Sequence, residues 1–443
     1  MPASPSAPTV AASHRYIEEL TWRGLLYQHT DGLAEMLSAG RVSGYCGFDP
    51  SAPSLHAGNL VPIMGLVHLQ RHGHVPLALV GGGTGLIGDP SGRTVERQLN
   101  TIETVEENVR GIRSQLERFL DFSGSSGARL INNAEWLVPM RAIDLLREVG
   151  KHFTINYMMA KESVKSRLEA GISYTEFSYM LLQAYDYLEL YRRLGVRLQL
   201  GASDQWGNMT AGTELIRRVE GGEAHALTLH LLTTSSGAKF GKTAAGAVWL
   251  DPERTSPYRF FQFWVNAEDA DVGKYLRYFT LRPREEIEAL DRSTAEHPER
   301  REAQHLLASD VTERVHGADA SRVAAEVSGV LFGGTEPGSL SAGALEVLRE
   351  EIPYVEVLAG DGSEGTVRRD ELGRLDAVEL FAVAKLAPSK GAARRLLEQG
   401  GLYVNGRRLG ADQRFIESAT ALVDGHFLLR KGAREYALVR LLD

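Results

Sequence analysis

Apolar positions along this chain fall into short continuous runs that alternate with stretches of helical spacing. Residues 42–48 read as a strand ending at Asp49-Pro50, and 75–80 form an apolar run closed by Gly81-Gly82-Gly83. Between them, 59–71 carries Leu60, Ile63, Met64 and Val67 at the spacing of one helix face. A further strand candidate stands at 196–200. This order predicts an α/β domain, a parallel sheet with helices on both faces. Ligands of such sheets sit beyond the carboxyl ends of the strands, so the residues just after each run are the ones to inspect. Upstream, 16–40 reads as a helix pair; downstream, 257–316 is rich in helix formers and aromatics and predicts a helical domain. The breaker cluster 332–339 predicts a boundary, and 361–365 a second loop.

The helix predicted over 174–191 has two faces. Phe177, Leu181, Ala184 and Leu188 make an apolar stripe, while Tyr179, Gln183 and Asp186 fall at i, i+4 and i+7 on another face. A phenol, an amide and an acid stacked in this way can line a polar pocket. The same pattern also suits an amphipathic surface helix with tyrosines at its margins.

Composition changes the picture in two places. With 443 residues the chain has room for two or three domains, and no apolar run is long enough to span a membrane. The stretch 1–14 is rich in Pro, Ser and Ala and reads as a disordered tail, without the basic start and apolar block of a signal peptide. Cys46 is the single cysteine, which excludes internal disulfides and multi-cysteine zinc sites and suits a reducing cytoplasm. Residues 381–443 carry eleven Lys and Arg against six Asp and Glu, a net +5 on a chain whose total is −8. A basic module on an acidic body is what a polyanion-binding appendage looks like.

Two segments carry candidate chemistry. His56-Ala57-Gly58-Asn59 stands where a strand turns into a helix, so backbone and a helix N-terminus can approach a nucleotide. Lys239-Phe240-Gly241-Lys242-Thr243 offers two mobile cations for charge developing on a leaving pyrophosphate. Ser236 occupies the position of the first glycine of a P-loop, and the flanks look like an open loop, so that label does not fit. The ordered pair resembles the His-Ile-Gly-His and Lys-Met-Ser-Lys-Ser signatures of class I aminoacyl-tRNA synthetases. Tyr45-Cys46-Gly47-Phe48-Asp49-Pro50, Gly85-Leu86-Ile87-Gly88-Asp89-Pro90-Ser91-Gly92, 178–186 and Gly201-Ala202-Ser203-Asp204-Gln205-Trp206 resemble the bacterial tyrosyl members in order and spacing. That likeness runs through nearly the whole chain from about Tyr16.

The resemblance implies a Rossmann-like catalytic domain over 15–252 with an insertion at about 119–176, and a helical anticodon-side domain over 253–332. It further implies a linker over 333–375 and a small α+β RNA-binding domain over 376–443. It implies that Tyr45 and Asp186 hold the phenol of L-tyrosine and that Asp89, Tyr179 and Gln183 meet its ammonium. Gln205 would lie near the reacting carboxylate. ATP would be met by Cys46, Gly47, Asp49, His56, Gly58, Asn59, Gly201, Asp204 and Lys242. His56, Asn59, Lys239, Lys242 and Thr243 would form the catalytic set, with Mg²⁺ carried by ATP and no protein metal site. Lys390, Arg394, Arg395, Arg407 and Arg408 would meet phosphates of tRNA(Tyr), an attachment that weakens with salt. A cytoplasmic homodimer joined through 119–176 is implied as well.

A carboxylate is already ionised at neutral pH and needs no general base, so catalysis would rest on positioning and on electrostatic stabilisation. Three departures from the family pattern stand out. Asn59 replaces a histidine, Ala202 stands where glycine is usual, and Arg93 replaces a lysine. The alternative readings are a tryptophanyl relative, a small-molecule nucleotidyltransferase and a non-catalytic RNA-binding relative.

Overall fold

Six strands form one sheet, and its inner ones follow nearly continuous apolar runs because both faces of a parallel sheet are covered. They are β1 (Leu26–His29), β2 (Ser43–Phe48), β3 (Val75–Val80), β4 (Arg129–Asn132), β5 (Val196–Ala202) and β6 (His225–Leu229). Their order in the sheet is β1-β6-β5-β2-β3-β4, with β2 to β6 parallel and β1 antiparallel at the edge. The winding reverses between β2 and β5, which opens a crevice at their carboxyl ends. In this computed structural model the described residues are 15–91, 99–165, 167, 171–235, 237, 240–243, 246–333, 335–362 and 366–442. The expected tail 1–14, Arg93, Lys239 and part of the 361–365 loop lie outside them, and of Lys242 and Thr243 only the backbone is described.

The predicted helix pair over 16–40 is instead α1 (Arg15–Trp22), strand β1 and α2 (Leu33–Ala39). β1 is four residues long, has no fully buried position and pairs with β6 through Leu26↔Leu229 and Gln28↔Thr228, so it offers no period to read. The next helix, α3 (Leu60–Arg71), is packed on nearly all sides, and Gly65 lets it approach the sheet where a side chain would meet Leu229 at 2.9 Å.

Helix α4 (Ile102–Leu116) fixes the loop that leads from β2 to His56. Asn108 Nδ2 donates to Pro50 O at 2.9 Å, Gln115 Oε1 accepts from Leu55 N at 2.9 Å, and Gln115 Nε2 donates to Ser54 Oγ at 3.0 Å. Gly111 lies between these two residues on the same face, and a Cβ there would run into the Pro53 carbonyl oxygen. Alanine usually stabilises a helix interior relative to glycine, by about 1 kcal/mol. Here the sign reverses: Gly111→Ala is expected to cost about 1–3 kcal/mol through overpacking, read as a lower Tm in calorimetry. An unchanged or higher Tm would show that the loop gives way.

By internal packing the chain forms two compact units, one of residues up to Thr255 with Val265–Leu307 and one of Ser256–Trp264 with Ala308–Asp443. The helical stretch expected as one domain over 253–332 is therefore divided. Two helices, α5 (Tyr174–Leu194) and α6 (Trp206–Glu220), precede it. Its own helices are α7 (Pro257–Val265), α8 (Asp269–Phe279), α9 (Arg284–Glu296), α10 (Glu302–His316) and α11 (Ala318–Phe332). The physical reason is partly Arg23, which is buried beside α1. Its guanidinium donates to the carbonyls of Arg277 and Thr280, both at 2.9 Å, and of Arg282 at 3.1 Å, binding the end of α8 into the first unit.

The expected linker 333–375 also differs. It contains α12 (Ala342–Glu351), β7 (Tyr354–Gly360) and β8 (Thr366–Arg368). Further along lie α13 (Ala377–Val383), α14 (Lys390–Glu398), β9 (Leu402–Val404), β10 (Arg407–Arg408), β11 (His426–Lys431) and β12 (Glu435–Leu442). The second sheet has the order β8-β7-β12-β11-β9-β10, and β7 pairs parallel with β12 from Tyr354↔Leu438 to Leu358↔Leu442. That partner is so distant in sequence that no local pattern announces it. Asn405 (φ 48) and Gly406 (φ 81) make the two-residue turn between β9 and β10, the conformation an Asn-Gly pair favours.

Candidate active site

The crevice beyond β2, β3 and β5 holds a cavity of about 340 Å³. Its wall includes Tyr45, Cys46, Gly47, Asp49, His56, Asn59, Asp89, Tyr179, Gln183, Asp186, Gly201, Asp204 and Gln205, residues drawn from four separate stretches of sequence. α5 crosses this crevice. Ser173 caps it by accepting from Glu176 N at 3.2 Å, and Gly195 (φ 63) ends it in the left-handed conformation.

At the closed end, Asp186 is 2% exposed. Its Oδ1 accepts from Trp136 Nε1 at 2.7 Å and its Oδ2 from Asn133 Nδ2 at 2.8 Å. Burial pushes its pKa up to about 7, against the pull of those two donors, with Asp49 and Glu189 adding to the rise. Tyr45 reaches the same end from β2, its ring 5.2 Å from that of Tyr187. Its hydroxyl is buried with no hydrogen-bond partner among the described residues, and burial with the nearby Asp186 charge raises its pKa well above the ordinary value. A buried orphan hydroxyl beside a buried carboxylate is suited to a ligand that both donates and accepts.

Nearer the mouth two more carboxylates are held by neutral donors. Asp49 accepts from Thr84 Oγ1 and from Tyr179 OH, both at 2.9 Å. Asp89 accepts from Ser91 N at 2.9 Å and from Gln205 Nε2 at 2.5 Å. Gln205 Oε1 in turn receives Gln183 Nε2 and Asn208 Nδ2, each at 3.3 Å. Two carboxylates at this end offer negative charge to a cationic group. Asp49, expected against ATP, is thus tied to Tyr179, which was expected against the ammonium.

The signature turn is a local cap. His56 Nδ1 accepts from Gly58 N and Asn59 Oδ1 accepts from His56 N, both at 3.0 Å. Because Nδ1 accepts, the neutral ring carries its proton on Nε2 and can donate from there. Asn59 therefore has a cap to hold in addition to the ligand contact expected of it. The loop carrying the second signature comes against this turn. Ala57 N donates to Val248 O at 2.8 Å, Val248 N to Gly241 O at 3.0 Å, and a Cβ on Gly241 (φ 76) would stand 3.0 Å from Gly58 N. Phe240 anchors that loop by stacking on Phe279 at 5.4 Å and leaning on Tyr275 at 5.1 Å. Ala202 has φ −77 and ψ 164, ordinary extended backbone, so nothing in the conformation there requires glycine.

In the second unit Lys390, Arg394 and Arg395 lie on α14, and Arg407 and Arg408 form β10, all exposed. Lys390 Nζ is held by Glu379 Oε1 at 2.8 Å and Arg408 Nε by Gly400 O at 2.6 Å. These two are engaged with protein acceptors.

Several site residues escaped sequence reasoning: Asn133, Trp136, Thr84 and Asn208. Asn133 and Trp136 follow β4, a four-residue strand that was not recognised. The rule that ligands sit after strand ends would have pointed to them.

The class I tRNA synthetase (W and Y) family profile matches residues 37–333, and the profile of the SYY-like C-terminal domain of tyrosine–tRNA ligases matches 367–439. A tyrosine–tRNA ligase of Roseiflexus castenholzii is 52% identical over 96% of this chain and 99% of its own, and one of Anaeromyxobacter dehalogenans is 50% identical over the same shares. Among solved structures, the C-terminally truncated mitochondrial tyrosyl-tRNA synthetase of Aspergillus nidulans is 30% identical, with a TM-score of 0.64 over 70% of this chain and 92% of that one. A cavity closed by an acid and a phenol, a capped histidine turn at its mouth and full-length likeness at half identity agree: the chain belongs to the tyrosine–tRNA ligases of the class I tRNA synthetases.

Proposed function

We infer that the chain activates L-tyrosine with ATP, forming tyrosyl-adenylate and pyrophosphate, and then passes tyrosine to the 3′-terminal adenosine of tRNA(Tyr). The observation that carries this reading is the closed end of the cavity, where the Tyr45 hydroxyl has no partner among the described residues and Asp186 presents a carboxylate braced by two donors. A substrate phenol would donate to Asp186 and accept from Tyr45. Its ammonium would sit among Asp49, Asp89, Tyr179 and Gln183. The substrate carboxylate would then face the mouth, where one oxygen attacks the α-phosphorus of ATP and the bond to the bridging oxygen of pyrophosphate breaks. His56 Nε2–H would donate to a phosphate oxygen, and the loop holding Lys239, Lys242 and Thr243 would address the pyrophosphate. Gly201 and Asp204, at and after the end of β5, would meet the ribose, with Cys46, Gly47 and Gly58 close to the nucleotide.

Mg²⁺ would travel on the ATP phosphates; no group of three or more metal-ligating side chains is present among the described residues. Arg394, Arg395 and Arg407 would meet tRNA phosphates, with Lys390 and Arg408 joining by exchanging their present partners. A homodimer through 119–176 is supported by exposed apolar Val138, Ile143, Leu146, Ile155 and Tyr174, which a second copy would cover. No helix of the described residues is long and apolar enough to cross a membrane, and the cytoplasm remains the compartment we propose.

Amino-acid-dependent exchange of pyrophosphate into ATP tests the reading, with tyrosine, phenylalanine and tryptophan offered separately. Exchange with tyrosine alone is expected. Exchange with tryptophan would overturn the assignment of the closed end, and none at all from folded protein would overturn activation itself.

A further inference from the structure

The polar face of α5 does not stop at the pocket. After Tyr179, Gln183 and Asp186 it continues outward through Glu189 and Arg193, at helical spacing. Glu189, 7% exposed, accepts from Arg193 Nε at 2.7 Å, and Arg192 lies 3.5 Å from its other oxygen while holding Glu220 at 2.7 Å. Arg193 then lies over the Trp136 ring, 5.3 Å from its centre. On the inner side the indole N–H meets Asp186. Trp136 thus stands between Asp186, which lines the pocket, and an outer cleft of about 410 Å³ that Arg193 also lines.

We propose that Arg193, anchored on Glu189 and laid over the outer face of Trp136, is a positioning residue for the phenol end of the tyrosine pocket. It acts in two ways. A guanidinium within about 6 Å of an indole face attracts it, which holds the ring plane and so the aim of its N–H. It also balances the charge of Glu189, which otherwise opposes ionisation of Asp186. The groups facing Asp186 are Tyr45 and Asp49 from β2 and its end, Asn133 and Trp136 beyond β4, and Tyr179 and Glu189 on its own helix. Tyr185 packs beside Glu189, and Glu135, Asp144, Glu148, Lys151 and His152 face the outer cleft. Arg193 lines the outer cleft and not the pocket itself.

The inference rests on the tyrosine-activating reading, and the test separates the two. Asp186 must be ionised to accept the phenol, so kcat/KM for tyrosine falls as pH drops through its pKa, which stands at about 7. In pyrophosphate exchange followed between about pH 5.5 and 9, Arg193→Met is expected to move this acid limb up by roughly half a unit, and Glu189→Gln to move it down by a similar amount. Arg193→Lys, which keeps the charge, is expected to return most of the way, and kcat at saturating tyrosine stays put in all three. A merely structural clamp would move both limbs the same way, and that result, or two unmoved limbs, overturns the proposal. Unsubstituted protein without tyrosine-dependent exchange overturns the underlying reading and the proposal with it.

Discussion

Asp186→Asn is expected to lower kcat/KM for tyrosine about 10³-fold in pyrophosphate exchange, while the much weaker reaction with phenylalanine changes little. The carboxylate serves two buried donors, Trp136 Nε1 at 2.7 Å and Asn133 Nδ2 at 2.8 Å, with lone pairs left for a substrate hydroxyl. An amide has one acceptor oxygen, so at least one of those donors would face an NH₂ group. Losing a charge-assisted hydrogen bond to the phenol costs about 2–3 kcal/mol, and a stranded buried donor about 1–3 more. A combined loss near 4 kcal/mol is roughly a thousandfold at 1.4 kcal/mol per decade. The pH profile gives a second reading. The acid limb set by Asp186, near pH 7, has nothing to titrate in the variant and should vanish. A loss under tenfold, or an acid limb that survives, would move the phenol contact elsewhere.

His56→Ala and Gly58→Ala are expected to act on the same step from opposite sides, each lowering kcat for adenylate formation by about 10²–10³-fold with little change in KM for tyrosine. His56 is aimed by its own turn, through the bond its Nδ1 accepts from Gly58 N. A Cβ on Gly58 would stand 2.8 Å from His56 Cε1 and 3.0 Å from Nδ1, so the ring must rotate away even though the histidine is retained. His56→Ala also removes a cap, which should lower stability by about 1 kcal/mol. If Gly58→Ala keeps full kcat, the ring is not confined as the packing implies, and the role of Nε2–H falls with it.

How much of this was legible beforehand depends on how far each feature reaches along the chain. β3 was readable at its full length because six apolar residues in a row leave one interpretation, and α5 because its two faces differ over five turns. The four-residue strands β1 and β4 carry no period. Missing β4 hid Asn133 and Trp136, although both touch Asp186, a residue that sequence alone had singled out. The residues expected from sequence to bind tyrosine all border one cavity, since the motifs that carry them are long. The partnerships among them were beyond reach: that Asp49 holds Tyr179, or that Asn59 caps His56, depends on rotamers and chain crossings. The second sheet was misjudged at its start because β7 finds its partner only at the end of the chain.

Asn133 has a consequence for how the amino-acid preference of such a site can change. Its Oδ1 accepts from Gly83 N at 2.7 Å, while Nδ2 donates to Thr84 Oγ1 at 3.0 Å and to Asp186 at 2.8 Å. Thr84 holds Asp49, which holds Tyr179. The end proposed to read the aromatic ring and the end proposed to read the amino group therefore share one brace. A substitution selected for a new ring at Asn133 would disturb recognition of the backbone common to every amino acid. Retailoring the pocket is then a path of paired changes, in which a repair at Thr84 or Asp49 must accompany each new preference.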